Sequence, residues 1–126
     1  MDIYKILAVG GGGFIGSISR YLTVRFIDSR MAAVLPYGTL LVNIVGSFLL
    51  GLLYGIAMRY TGVTENWRLF LGAGFCGGFT TFSAFAFENV NLIQHKSYGV
   101  SLTYIVVSIG IGLSALAAGT WCSRFI

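Results

Sequence analysis

The segment Gly74–Glu88, GFCGGFTTFSAFAFE, concentrates the chemistry of this chain. Its glycine pair, Gly77-Gly78, is followed by the β-branched pair Thr80-Thr81. Glycine lowers the cost of leaving helical geometry. A break here frees carbonyl oxygens from their i+4 partners, and such oxygens suit a hard cation such as Na+. Phe82 and Phe85 follow at i, i+3 and share one face. A phenyl ring carries a positive edge, so rings turned edge-on can meet a small anion. Packing or lipid contact is the other role open to them, and it is the role expected of Phe75, Phe79 and Phe87.

Further polar residues recur at helical spacing. Thr39, Asn43 and Ser47 form a stripe at i, i+4, i+8. The Asn43 amide can donate to an anion or bond a neighbouring helix. Ser97, Ser101, Tyr104 and Ser108 share another face. Ser101 and Ser114 are expected to bond back to their own helix, whereas Tyr104 and Ser108 are candidates to line a path. Arg20 and Glu88 are the charged residues nearest the interiors of the apolar runs. Arg20 would concentrate anions at a vestibule, and Glu88 would pair with it or with a polar neighbour. Anchoring at the membrane surface is the alternative for both. No nucleophile–base constellation, carboxylate cluster or phosphate loop is visible, so an enzyme is not expected. Cys76 and Cys122 have no metal or disulfide spacing and are expected to pack.

These residues must be positioned by membrane helices. The chain is 56% apolar and 10% charged, with a mean hydropathy of +0.85. Long uncharged runs separate Arg30 from Arg59, Arg68 from Glu88, and Lys96 from Arg124. Each accommodates a span of roughly 20 residues across a hydrocarbon core of about 30 Å. A further span, about Tyr4 to Ile27, requires Arg20 at membrane depth and a snorkelling Arg25. The others are expected at about Gly38–Met58, Arg68–Ile93 and Gly99–Ser123. The fold expected is all-α, a single domain over residues 1–126 with four transmembrane helices, the third broken near its middle. A cleaved signal peptide is not expected, because glycines Gly10 to Gly13 interrupt the apolar core. The formal net charge of +4 lies around helix ends and reads as membrane anchoring rather than nucleic-acid binding.

Four spans place Lys5, Arg59, Arg68 and Arg124 on one side, and Arg25, Arg30, Lys96 and Arg20 on the other. That balance gives almost no positive-inside bias. The expectation is dual topology, with two copies packed antiparallel; a single orientation set by the first helix is the alternative. Gly12 and Gly16, Gly51 and Gly55, and Gly74 and Gly78 stand at i, i+4, a spacing that brings helices together in lipid. It serves packing within one chain or between subunits.

Gly-Phe-Cys-Gly-Gly-Phe-Thr-Thr-Phe-Ser at 74–83, Gly38-Thr39-Leu40 followed by Val42-Asn43, and Ser19-Arg20-Tyr21 resemble the CrcB/Fluc fluoride channels. The resemblance extends over essentially the whole chain. It implies an antiparallel dual-topology homodimer in the bacterial inner membrane, exporting cytoplasmic fluoride passively through two pores. It also implies a structural Na+ at the dimer centre, held by third-helix carbonyls of both subunits. By position, Gly77 and Thr80 would supply those carbonyls. Phe82 and Phe85 would match the pore phenylalanines, Asn43 the pore asparagine, and Tyr104 and Ser108 the start of the fourth-helix polar track. Arg20, Thr39 and Glu88 would match polar positions near the pore ends. The sequence departs from the family pattern at Ala84, where a threonine is usual, and at Gly112 and Leu116, where hydroxyls often continue the track. The rival reading, a proton-coupled small multidrug exporter of four-span dual-topology type, needs a carboxylate within the first span, and none is present. A non-transporting membrane scaffold would leave the Gly77–Thr81 segment without a purpose.

Overall fold

A computed structural model describes residues 1–126, and the chain is entirely helical. Helix α1 runs from Ile3 to Arg30, and α2 from Tyr37 to Arg59. A third helical stretch begins with α3 (Glu65–Arg68), passes through a π-helical segment (Leu69–Cys76) and ends in the single turn α4 (Gly77–Phe79). Thr80 and Thr81 are extended, at φ/ψ of −91/156 and −151/121. Helix α5 (Phe82–Gln94) resumes the direction, and α6 (Tyr98–Cys122) follows, ending in a 3-10 turn at Ser123–Phe125.

Three stretches are long and apolar enough to cross a membrane: Tyr37–Arg59, Glu65–Gln94 and Tyr98–Phe125. Helix α1 has 28 residues, a length of about 42 Å at the α-helical rise. Its glycines, serines and arginines dilute the apolar run that the other stretches maintain. The ends are capped by identifiable groups. Asp2 accepts from the Tyr4 N–H at the start of α1, and Asp28 accepts from the Gly38 N–H at the start of α2. Arg59 donates to the Ser123 carbonyl, and Arg68 to the Ala57 carbonyl. These cations meet the negative ends of helix dipoles. Lys5 pairs with Glu65 at 2.8 Å, but both are exposed and such pairs stabilise by at most about 1 kcal/mol.

Glycine decides how the helices pack. On α1, a Cβ at Gly12 would lie 2.0 Å from the Phe70 carbonyl oxygen, and one at Gly16 would lie 2.2 Å from that of Phe75. From the other side, Gly74 and Gly78 face the α1 backbone at Gly12 and Gly13. Helix α1 and the third stretch therefore run parallel with their backbones touching. Gly51 and Gly119 do the same for α2 and α6, where a Cβ would lie 2.1 Å from the Leu116 and Phe48 carbonyl oxygens respectively. Both α1 glycines and the 51/55 and 74/78 pairs thus serve packing within one chain. In lipid, where burial of apolar surface gives helices no reason to associate, this close approach supplies the dispersion contacts.

A side chain at these positions would force backbones apart. Gly16→Val is expected to lower the thermal midpoint of the purified protein in detergent, in line with overpacking costs of about 1–3 kcal/mol. Gly110→Ala, where no atom lies within 4 Å of a Cβ, is expected to leave it unchanged.

Candidate functional site

Two extended residues inside an apolar helical stretch leave several backbone groups without helical partners. Several of them are met by specific side chains. The Asn43 amide grips Thr81 at both ends: its Oδ1 accepts from the Thr81 N–H at 2.8 Å, and its Nδ2 donates to the Thr81 carbonyl at 3.1 Å. Arg20 Nε donates to the Gly78 carbonyl at 2.9 Å. Thr81 Oγ1 caps α5 by accepting from the Ala84 N–H. Thr80 Oγ1 bonds back to the Cys76 carbonyl at 2.8 Å. Close approach between α2 and this segment requires Gly46, where a Cβ would lie 2.2 Å from the Thr80 methyl.

This bonding leaves the carbonyls of Gly77, Phe79 and Thr80 without a helical donor, and two of those residues, Gly77 and Thr80, line the same cleft. In a continuous helix the Thr81 N–H would reach Gly77 O, and the Ala84 N–H would reach Thr80 O. Those donors go instead to Asn43 and to Thr81 Oγ1. The carbonyls of Gly77 and Thr80 have thus lost their helical partners. Gly77 is exposed on the single chain, and a Cβ there would come no nearer than 3.8 Å to any neighbour.

A cleft of about 600 Å³ opens beside the extended pair. Asn43, Thr80, Thr81, Phe82, Phe85 and Ser108 are among its lining residues. One Asn43 amide hydrogen remains after the two bonds to Thr81. The Ser108 hydroxyl oxygen is buried and has no hydrogen-bond partner. The Phe82 and Phe85 rings are 5.7 Å apart and tilted by 43°, and Phe82 is 79% exposed on the single chain. Phe85 lies 5.0 Å from the Tyr104 ring.

Below the aromatic group, Glu88 is held by two hydroxyls. Thr39 Oγ1 donates to Oε1 at 2.6 Å, and the Tyr104 hydroxyl donates to Oε2 at 2.7 Å. Both donors are almost fully buried. A second cavity of about 320 Å³, lined by Asp28, Pro36, Glu88 and Asn91, lies against the α1–α2 connection.

The structure brings Asn43, Phe82, Phe85, Ser108, Gly77 and Thr80 to one cleft, and joins Thr39, Tyr104 and Glu88 in one bonded triad. Arg20 does not pair with Glu88; it holds the Gly78 carbonyl. Ser114 bonds back to Gly110, as its spacing suggests. Ser101 does not bond back: its hydroxyl donates to Asn89 Oδ1 on α5. Asn89 went unnoticed in the sequence. It is buried, and its amide nitrogen donates to the Phe85 carbonyl at 2.9 Å. The signal available was its type, since an amide in an apolar span needs partners.

Apolar helices packed through glycine, with a cleft that takes a few polar groups beside an extended pair, define an integral membrane protein. The family described as "CrcB-like protein, Camphor Resistance (CrcB)" matches residues 7–120, and the chain belongs to it. It is 43% identical over 121 residues to a Caulobacter vibrioides protein, with 95% of each chain covered. It is 43% identical over 114 residues to one from Rhizobium meliloti, covering 90% of this chain and 91% of that one. It is 40% identical over 117 residues to one from Leptospira interrogans, covering 93% and 92%. Each of these relatives is named "Fluoride-specific ion channel FluC".

Asn43→Ala removes both bonds to Thr81 and strands a peptide N–H away from water. The expected loss is about 1–3 kcal/mol for that unpaired group, read as a lower midpoint in detergent unfolding. Ser47→Ala, on the same helix face but making no such bond, is expected to change it little.

Proposed function

We propose that this chain forms a fluoride-selective channel through which the ion leaves the cell passively, down its own gradient. The names of the relatives support the substrate. The family is one of ion channels rather than enzymes, and a proton-coupled small multidrug exporter is not favoured by those names. The observation that carries the reading is the cleft beside Thr80–Thr81, where donors and phenyl rings converge on space at the depth of the apolar spans.

Fluoride is small and strongly hydrated. The idealised penalty for moving even a carboxylate-sized ion into low dielectric is of order 20 kcal/mol. A pore must replace water with oriented donors and still release the ion. The free Asn43 hydrogen, the unpartnered Ser108 hydroxyl and the edges of Phe82 and Phe85 are groups of that kind. Tyr104, Thr39 and Glu88 continue the polar line beyond Phe85, and Arg20 lies one α1 contact away at Gly78. The polar track does not extend in the same chemistry past Ser108, because Gly112 and Leu116 offer no hydroxyl.

In the proposed assembly α1 is the first of four spans, the third is broken at Thr80–Thr81, and two copies pack antiparallel in the bacterial inner membrane. The near balance of Lys and Arg between the two sides supports dual topology. The bare Gly77 face and the uncovered Phe82 ring support a second copy against this side of the chain. Gly77 and Thr80 fit a structural Na+ shared between copies: of the carbonyls that the break leaves without helical donors, theirs belong to residues lining the cleft. Bound there, the cation would supply positive potential beside the anion path.

Purified protein in liposomes is expected to release fluoride without a proton gradient and to exclude chloride. Chloride release at a similar rate, or no fluoride release, overturns the reading. Phe82→Ile is expected to slow fluoride release at least about tenfold, a barrier change of about 1.4 kcal/mol, while the dimer persists on size exclusion. Replacing Na+ by a large organic cation throughout purification is expected to abolish release and to lower the thermal midpoint, with both recovering on return of Na+.

A further inference from the structure

Helix α5 carries both Phe82 and Phe85, yet it follows two extended residues and so inherits no rotational register from α4. Something else must set which way its aromatic face points. Asn43 fixes its N-cap residue, Thr81, and Glu88 ties it to α2 and α6. One further polar link lies deeper: Ser101 Oγ on α6 donates to Asn89 Oδ1 at 2.9 Å, with both residues buried. The Asn89 amide cannot turn freely, because its nitrogen is held on the Phe85 carbonyl. Asn89 lies one turn after Phe85, and Ser101 lies one turn before Tyr104. The bond therefore sits directly beneath the Phe85–Tyr104 ring contact, at 5.0 Å, and the Tyr104–Glu88 bond.

We propose that Ser101 and Asn89 are positioning residues that set the rotation of α5, and so determine whether the Phe82 and Phe85 rings present their edges to the cleft. Neither touches the cleft itself. They act on selectivity through the helix they hold. A rotation of α5 by a fraction of a turn would swing both rings together, since they share one face at i, i+3. The proposal rests on the fluoride-channel reading, and its test separates the two.

Fluoride and chloride release are measured for wild type, Ser101→Ala, Ser101→Thr, and the double variant Ser101→Ala with Asn89→Leu. Ser101→Ala leaves Asn89 Oδ1 buried without a donor, so it is subject to misfolding. The double variant removes both polar groups, a replacement that is often nearly neutral for stability. If the pair only stabilises the fold, the double variant keeps wild-type discrimination. If the pair positions α5, the fluoride-over-chloride ratio falls about tenfold in the double variant, equivalent to about 1.4 kcal/mol, although it assembles normally. Ser101→Thr, which keeps the hydroxyl, retains the ratio. A selective wild type with an equally selective double variant overturns the proposal and leaves the channel reading intact. A wild type that passes no fluoride overturns both.

Discussion

The paired hydrogen bonds between the Asn43 amide and the Thr81 backbone are the interaction on which the rest depends. Peptide groups without helical partners are expensive where water is absent. A primary amide is the one uncharged side chain with a donor and an acceptor set to match a peptide N–H and C=O. Asn43 thus replaces, from a neighbouring helix, the partners that Thr81 loses by being extended. Gly46, one turn further along α2, makes room for Thr80. One helix face supplies both the polar partner and the clearance, so the extended pair can exist only against α2.

The remaining partners of the extended pair come from other elements, which couples the fold to the site. Arg20 reaches the Gly78 carbonyl from α1, and it does so because Gly12 and Gly16 allow α1 to touch the third stretch. The π-helical segment just before α4 places Gly74 and Gly78 against that same glycine track. Packing of α1 and hydrogen bonding at the break are therefore one arrangement. The residues that line the cleft keep specific groups free of helical or side-chain partners: the Gly77 and Thr80 carbonyls, one Asn43 amide hydrogen and the Ser108 hydroxyl. A donor set and an oxygen set lie side by side with no protein partner, which is the physical content of the proposal that an anion and a cation are handled there.

Much of this was legible in the sequence because it follows from residue type and short spacing. The helical stretches fall within a few residues of the charge-bounded runs. Thr39, Asn43, Tyr104 and Ser108 share faces as i, i+4 arithmetic requires. Partnership across helices was harder to read. Spacing alone suggests that Ser101 bonds its own helix, which is the ordinary option for a lone serine in a span. It instead bonds Asn89, because the short turn at His95–Ser97 brings α5 and α6 together at that level. The sequence suggests a vestibule charge, a Glu88 partner or a surface anchor for Arg20, whereas its hydrogen bond goes to a carbonyl 58 residues away in sequence. Nothing in local pattern encodes such a distance. The glycine pairs were equally ambiguous: spacing shows that backbones approach closely, and only the three-dimensional arrangement shows that the neighbour is in the same chain.

Glu88 poses the sharpest problem for the proposed anion path, since a carboxylate beside it would repel the ion. Its surroundings answer part of it. Each oxygen accepts a short bond from a buried hydroxyl, so the charge is delocalised over donors that approach from α2 and α6. Hydroxyls are also the groups best able to redirect a proton, because each rotates about its C–O bond without moving its oxygen. In the proposed pore, Thr39 and Tyr104 would turn between the carboxylate and a passing anion with little rearrangement. On the proposed reading, the carboxylate keeps those donors oriented while the pore is empty. A neutral acceptor at that position would hold them more weakly, since hydrogen bonds to a charged group are roughly twice as strong as neutral ones. Too firm a grip would withhold the donors from the ion, and too loose a grip would leave them disordered. On the proposed reading the useful position is between these limits, which an acidic residue shared by two hydroxyls would occupy.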